Sequence, residues 1–539
     1  MKTYQQTATD HALIICAQIA IIVFSLSIVL LSTDVAHAQR ATGGTATSAQ
    51  TPGAPAGSYP LSDFDNVNIF NGNLNFNLPL LSIGGRGSTG YTIPLAIERR
   101  WTTLTRAITH PEPGVEWYTS EVIRDGLKPG YGPGVMQIYR SGYGDLPCQF
   151  YGVPNPPHYY QQTMTKLIFT AADGTEYEFV GASGSGAEGP ANISFCDQEA
   201  SAFNRGNIFT SIDGSAMTFI SDQNIYDVKE ILGDPTFPSP ADGYLLLKDG
   251  TRYRIEHGFV KWMRDSNGNL TTFAYNSPYG GKLQSITDSI SRRVEIQYSS
   301  SQCGGYDEII YKGFDRTTPR KIKVGYACLG DALRMTRSGD PVEAGAKTYE
   351  FLFPSSTHDP TEIFNPRVVS YIELPDQIRK YRFYYNIYGE LARVELPTGG
   401  AIEYEHGAGW VNPEHPSGLW LGWGYGNDYG WHIYRRVQER RVYVDKTDQS
   451  PETKMTYGIP VDPTGQGTGV SVEVRQSGGS SQTPLSIELH YFKGNAAPSY
   501  SPPGQWYTPP DLFSGKEEQT ETFTGNGTLL RRVVHTWNL

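Results

Sequence analysis

Short apolar and aromatic runs alternate with pairs of turn residues along most of this chain, and no window holds a 3.6-residue period long enough for a helix. The clearest stretch is 243–300, where Asp249-Gly250 and Asn267-Gly268 tolerate the positive φ angles of a type I′ turn. A two-residue loop at Asp249-Gly250 pairs Lys248 with Thr251. It puts Tyr244 and Leu246 on one face with Tyr253 and Ile255, and Leu245 and Leu247 on the other with Arg252 and Arg254. The signal recurs at Asp173-Gly174, between Lys166–Thr170 and Glu176–Val180, and at Asp213-Gly214, between Asn207–Ile212 and Ala216–Ser221. Further strands are expected at Lys347–Phe353, Arg379–Tyr385, Glu390–Leu396 and Ala401–Glu405, punctuated by Tyr388-Gly389 and Gly399-Gly400. The pattern predicts an all-β protein of degenerate strand–turn–strand repeats.

Upstream, apolar runs Leu74–Ile83 and Tyr91–Ile97 flank a Gly-rich turn and predict a strand pair. The remainder of 59–160 reads as loops with short strands that open the repeat region, and 161–302 carries the hairpins. Residues 303–346 break the rhythm and read as a Cys-bearing insertion; hairpins resume over 347–406. Four tryptophans among glycines make 407–434 a loop, and strands return over 435–539. The chain stops on the second arm of a hairpin, an edge that complete β proteins usually cover, so this end reads as a cut.

The first residues lie apart from the fold. Ala12–Leu31 is strongly apolar and is followed by Ala36-His37-Ala38, which reads as a secretory signal peptide over 1–38; an uncleaved anchor is the rival. A small, polar leader follows over 39–58, and no later segment has the pattern of a membrane span. The protein is thus expected to be secreted or held at the cell envelope. Cleavage leaves Cys148, Cys196, Cys303 and Cys328, an even number that permits two disulfides, with local pairing 148–196 and 303–328 expected among three connectivities and free thiols as the alternative. Net charge −11 argues against a nucleic-acid partner.

Asp265-Ser266-Asn267-Gly268-Asn269, the alternating strand to Tyr275-Asn276, Gly281-Lys282-Leu283 and Asp288 resemble a module of the Rhs/YD-repeat family. Tyr384-Tyr385-Asn386, Tyr388-Gly389-Glu390-Leu391 and Gly399-Gly400 form a second match. Asn276 and Asn386 stand where the family typically has Asp, and literal Tyr-Asp occurs only at Tyr226-Asp227 and Tyr306-Asp307. The resemblance implies a large sheet that spirals into a hollow shell, enclosing a toxin in some members. The Asp-Pro-x-Gly-Leu motif that closes such shells is not found: Asp462-Pro463-Thr464-Gly465 is followed by Gln466.

Chemistry is sparse. Gly85–Gly90 and Gly184–Gly189 match GxGxxG, yet neither opens a helix or sits in a βαβ unit, so both read as loops. No P-loop, Gly-x-Ser-x-Gly elbow or His-Glu-x-x-His is present, so no catalytic residue, metal ligand or cofactor is assigned. Trp410, Trp420, Trp423 and Trp431 are candidates for a glycan-stacking platform, with a Gly-permitted plug as the structural alternative. Glu403/Glu405 and Glu517/Glu518 are weak glycosidase candidates, and Arg435-Arg436 with Arg440-Arg441 is expected to decorate a solvated strand face. The favoured reading is a non-enzymatic exported shell protein. A carbohydrate-binding surface protein comes second and an extracellular hydrolase third. No partner is named by the sequence; a cell-surface glycan and a C-terminal continuation of the chain are the candidates.

Overall fold

The computed structural model describes residues 59–537 apart from 61–63, 88, 98–102, 110–115, 123–128, 148–157, 182–203, 212–214, 227, 231–238, 278–280, 314–316, 336–344, 354–359, 410–416, 424–428, 464–468, 479–482 and 495–514. The apolar N-terminal stretch, the leader, Cys148, Cys196, Asp213-Gly214 and the second GxGxxG lie outside these residues. The described elements are strands, save a 3-10 turn at Leu329–Asp331 and a one-turn helix at Tyr349–Leu352. No helix among them is long and apolar enough to cross a membrane.

One antiparallel ladder organises the molecule. Strands Gly134–Pro147, His158–Ala171, Glu176–Gly181, Asn204–Ser211, Thr218–Tyr226, Gly243–Leu246, Arg252–Glu256 and Phe259–Arg264 each pair with the next. The ring closes where Phe259 meets Val135, supported by Met136 N–H donating to the Gly258 carbonyl at 2.7 Å. Farther along that same strand edge, Trp262–Arg264 pairs instead with Leu270–Tyr275, and the sheet runs on from there. It continues by neighbour-to-neighbour pairing to Arg367–Glu373, Lys380–Tyr385, Leu391–Glu395, Ala401–Ala408 and Arg435–Tyr443, and ends at Leu529–Val534.

The turns differ from the expected type. Asp249-Gly250 is part of a three-residue loop: Gly250 N–H donates to the Leu247 carbonyl and Leu247 N–H to that of Thr251. Leu246 therefore faces Arg252, one register away from the expected pairing. Tyr244 and Leu246 share a face with Arg252 and Arg254, while Leu245, Tyr253 and Ile255 share the core face. A type I turn followed by one left-handed residue needs positive φ only at the third loop position, which Gly250 and Gly268 supply at 85°. The same closure recurs at 171–175, 265–269, 288–292, 386–390, 396–400 and 524–528. His257-Gly258 is a two-residue turn, with both φ angles positive (52° and 79°).

Side chains at the first and last positions staple the loops 265–269, 288–292 and 386–390. Asp265 Oδ1 accepts from the N–H groups of Asn267 and Asn269, while Asn269 Nδ2 returns to Asp265 Oδ2 at 2.8 Å. Asp288 does the same with Ile290, Arg292 and the Arg292 guanidinium. At 386–390 the polarity is reversed: Asn386 Oδ1 accepts from Tyr388 and Glu390 N–H, and its Nδ2 donates to Glu390 Oε2 at 2.7 Å. Asn276 likewise caps with Oδ1, accepting from Lys282 N–H. The cap needs an acceptor oxygen rather than a charge, which accounts for Asn at both positions.

The repeat tyrosines also act alike. Tyr275 and Tyr385 both sit at a β-bulge, and their hydroxyls donate to the Val260 and Val369 carbonyls at 3.0 and 2.7 Å. Each satisfies a backbone group just past the end of the neighbouring ladder.

A small sheet, Tyr59–Pro60, Asp65–Val67, Leu74–Ile83 and Tyr91–Ile97, lies on the apolar face of the ladder. Phe76 packs edge-on against Phe383, and Tyr91 against Phe273, with centroids 5.7 and 5.2 Å apart. The first GxGxxG is the loop by which this sheet docks on the stapled turns: Arg86 N–H donates to Ser289 Oγ, and Thr271 Oγ1 to the Thr89 carbonyl. A Cβ on Gly87 (φ 68°) would stand 2.1 Å from Asp265 Oδ2, so the loop needs glycine there.

Several expected boundaries move. Residues 102–160 contain strands of up to 14 residues, Gly134–Pro147 and His158–Ala171, in place of short ones among loops. The Cys-bearing stretch is no insertion, since Tyr306–Lys312 and Pro319–Cys328 are ladder strands. The interruption falls at 329–366, where Tyr349, Phe353 and Phe364 pack together and the expected strand at 347–353 becomes the short helix capped by Thr348 Oγ1. Within 407–434, a two-stranded ladder, Leu419–Trp423 with Tyr429–Ile433, replaces the expected loop.

The reversed staple yields a test. Asn386→Asp sets a second carboxylate against buried Glu390 and is expected to cost about 1–3 kcal/mol in denaturant unfolding. Asn276→Asp, whose oxygen meets only a backbone N–H, is expected to be close to neutral.

Candidate functional site

The densest polar constellation is the seam between the small sheet and strands Ala401–Ala408 and Arg435–Tyr443. These arginines were expected on a solvated face; Arg435, Arg436 and Arg440 are instead buried. Arg440 forks onto Asp65 with contacts of 2.6 and 3.1 Å, and the Tyr404 hydroxyl donates to the same carboxylate at 2.6 Å. Arg435 forks onto Glu390 at 2.8 and 2.7 Å while its guanidinium lies 4.0 Å from the Tyr388 ring centroid. The Glu390 staple is therefore also an anchor for strand Arg435–Tyr443, two places along the ladder from Leu391–Glu395. Burial favours the protonated Glu390 carboxyl, but Arg435 and Asn386 outweigh it and hold the group at about 2. The sequence misled because the counter-ions of Arg435 and Arg440 come from segments far along the chain.

Arg436 is bonded differently. It donates to the Ile69 carbonyl at 3.1 Å and reaches the Tyr434 hydroxyl at 3.5 Å, and its Nε is buried without a partner. Its stem packs where Gly72 has no side chain, and the Val437 N–H donates to the Gly72 carbonyl beside it. His406 sits nearby with Nδ1 buried and unbonded, and burial lowers its pKa.

The two pairs of candidate glycosidase acids do not meet across a cleft. Glu403 is buried against Arg393 (2.5 Å) and the Tyr443 hydroxyl (3.0 Å); Glu405 is held by a fork from Arg334 and by Arg441. Glu517 bonds His490 Nδ1 at 2.6 Å and Thr520, while Glu518 faces Lys493 at 3.4 Å. All four belong to strand-to-strand contacts. Among the described residues, no group of three or more His, Cys, Asp or Glu is arranged to hold a metal ion.

Of the proposed glycan platform, Trp410 lies outside the described residues. The backbone register sets Trp420 opposite His432, Trp431 opposite Leu421 and Trp423 opposite Tyr429. Cys303 and Cys328 are disulfide-bonded, Cα atoms 4.9 Å apart, and tie the loop before Tyr306 to the end of the next strand. Asp307, of the literal Tyr306-Asp307 pair, receives the Tyr131 and Tyr326 hydroxyls at 3.1 and 2.6 Å and caps Ser299 N–H. The sequence offered no signal that Tyr131 would join it.

No protein-family model matches the chain, and no curated protein matches it. Among solved structures, the chain is similar to one described as the crystal structure of TcdB2-TccC3, with 10% identity and a TM-score of 0.16; the match covers 87% of this chain and 24% of that one. The chain thus spans about a quarter of that protein's length. A superposition this loose carries no functional weight.

What the fold and seam define together is an all-β protein whose concentrated polar groups join strands to strands. Two tests follow. Asp65→Ala leaves Arg440 buried and unpaired and is expected to cost about 3–5 kcal/mol in denaturant unfolding. The second uses pH. Burial alone would lower the His490 pKa, but Glu488 and Glu517 raise it to about 9. A histidine that holds its proton more tightly when folded stabilises fully below its ordinary value of about 6.5, and that contribution is lost as pH rises through the folded value. Unfolding free energy should fall between about pH 6.5 and 9, and His490→Gln should lack that slope.

Proposed function

We propose that this chain is a structural, non-enzymatic wall of an exported Rhs/YD-repeat β shell, acting as scaffold or container. The observation that carries the reading is the shared construction at Tyr275-Asn276 and Tyr385-Asn386. In both, a tyrosine at a bulge donates to a backbone carbonyl of the neighbouring strand, and the next asparagine caps the following turn. The repeated residues thus serve to join one hairpin to the next, as a wall built by addition of modules requires. The seam supports the same reading, since its charged groups bond strands to one another and to the turns beside them, and Glu403 and Glu405 are both engaged by arginines.

Negative-stain electron microscopy of the purified full chain is expected to show a curved, hollow body. A solid globule overturns the reading. So does a hydrolase activity that disappears in Glu403→Gln while circular dichroism stays unchanged.

A further inference from the structure

The ladder face turned away from the core carries a feature that strand pairing does not explain. Arg252 and Arg264 are direct cross-strand partners and both are exposed. Like charges opposite one another on a sheet destabilise it, and native sheets usually place a carboxylate beside them. Asp222 and Glu256 are both committed to Arg254, the former through a fork of 2.7 and 2.8 Å. Among the described residues, no carboxylate pairs with Arg252 or Arg264.

The surroundings are ordered in two rows. One runs Leu246, Arg252, Arg264, Leu270; the next runs Ile220, Tyr244, Arg254, Trp262, Thr272. The Arg264 guanidinium lies over the Trp262 ring at 5.4 Å and Arg254 over Tyr244 at 4.8 Å, and the two rings meet edge to face. The aromatics thus prop guanidinium groups on an exposed surface shouldered by Leu270 and Tyr244, which are 40% and 39% exposed.

We infer that this face is a docking surface for a sulfated polysaccharide. Neighbouring strands lie about 4.8 Å apart, so two guanidinium forks there can converge on a single tetrahedral oxyanion. Arg252 and Arg264 stand in a row that crosses the strands, which suits an extended, repeating polyanion laid along it. Both rings already carry a guanidinium over one face, which disfavours the base stacking that single-stranded nucleic acid uses. Its apolar positions are scattered among arginines, unlike the anchored apolar centre of a protein interface. The inference concerns the outer face and stands apart from the shell reading.

The test measures binding of the full chain to fluorescent heparin by anisotropy at low and physiological salt, beside neutral dextran, double-stranded DNA, polyphosphate and poly-glutamate. Heparin should bind, dextran should not, and Arg252→Gln/Arg264→Gln should weaken heparin at least tenfold and flatten the salt dependence. The double variant should keep or raise the thermal midpoint, because it removes opposed like charges; a lowered midpoint would assign the arginines to packing. Absence of heparin binding, an unchanged affinity in the variant, or equal affinity for DNA, polyphosphate or poly-glutamate would overturn the inference.

Discussion

A β-hairpin can bury only one face and leaves an unpaired edge on either side, and this constraint governs the whole chain. The ladder answers the edge problem by pairing each strand with its neighbours and by closing a ring at Phe259 and Val135. It answers the face problem with the small N-terminal sheet, whose Phe76, Ile93 and Leu95 join the same core as Ile286, Val324 and Phe383.

Polar groups serve the same end at two ranges. At Asp265, Asp288 and Asn386 a side-chain oxygen satisfies the turn's N–H groups, and a complementary side chain four residues on closes the staple. Between distant segments, Asp65 and Arg440 meet across 375 residues of sequence, and Arg86 N–H reaches Ser289. Such contacts join segments that only the folded ladder brings together. Glu390 links the two ranges, being both the closing residue of a staple and the counter-ion of Arg435.

Much of the fold could be read from the residues. Strands Leu74–Ile83 and Tyr91–Ile97 follow directly from apolar runs around a Gly-rich turn. The hairpins around Asp249-Gly250 and Asn267-Gly268 follow from turn chemistry, although the register was displaced by one residue. That displacement has a local cause: a glycine with positive φ fits the third place of a three-residue loop as well as the second of a type I′ turn. The candidate site was much less legible. Arg435, Arg436 and Arg440 look like surface residues because charged side chains are seldom buried, and nothing near them in sequence announces their partners.

The sequence by itself determined the all-β class, the turn positions and the strand periodicity, because these depend on φ preferences and on alternation over a few residues. Tertiary structure alone decided which carboxylate meets which arginine, why Gly87 must lack a side chain, and that Arg252 and Arg264 stand opposed with no carboxylate paired to them among the described residues. Those outcomes depend on register and on contacts between segments hundreds of residues apart, where a shift of one position exchanges the buried face for the exposed one.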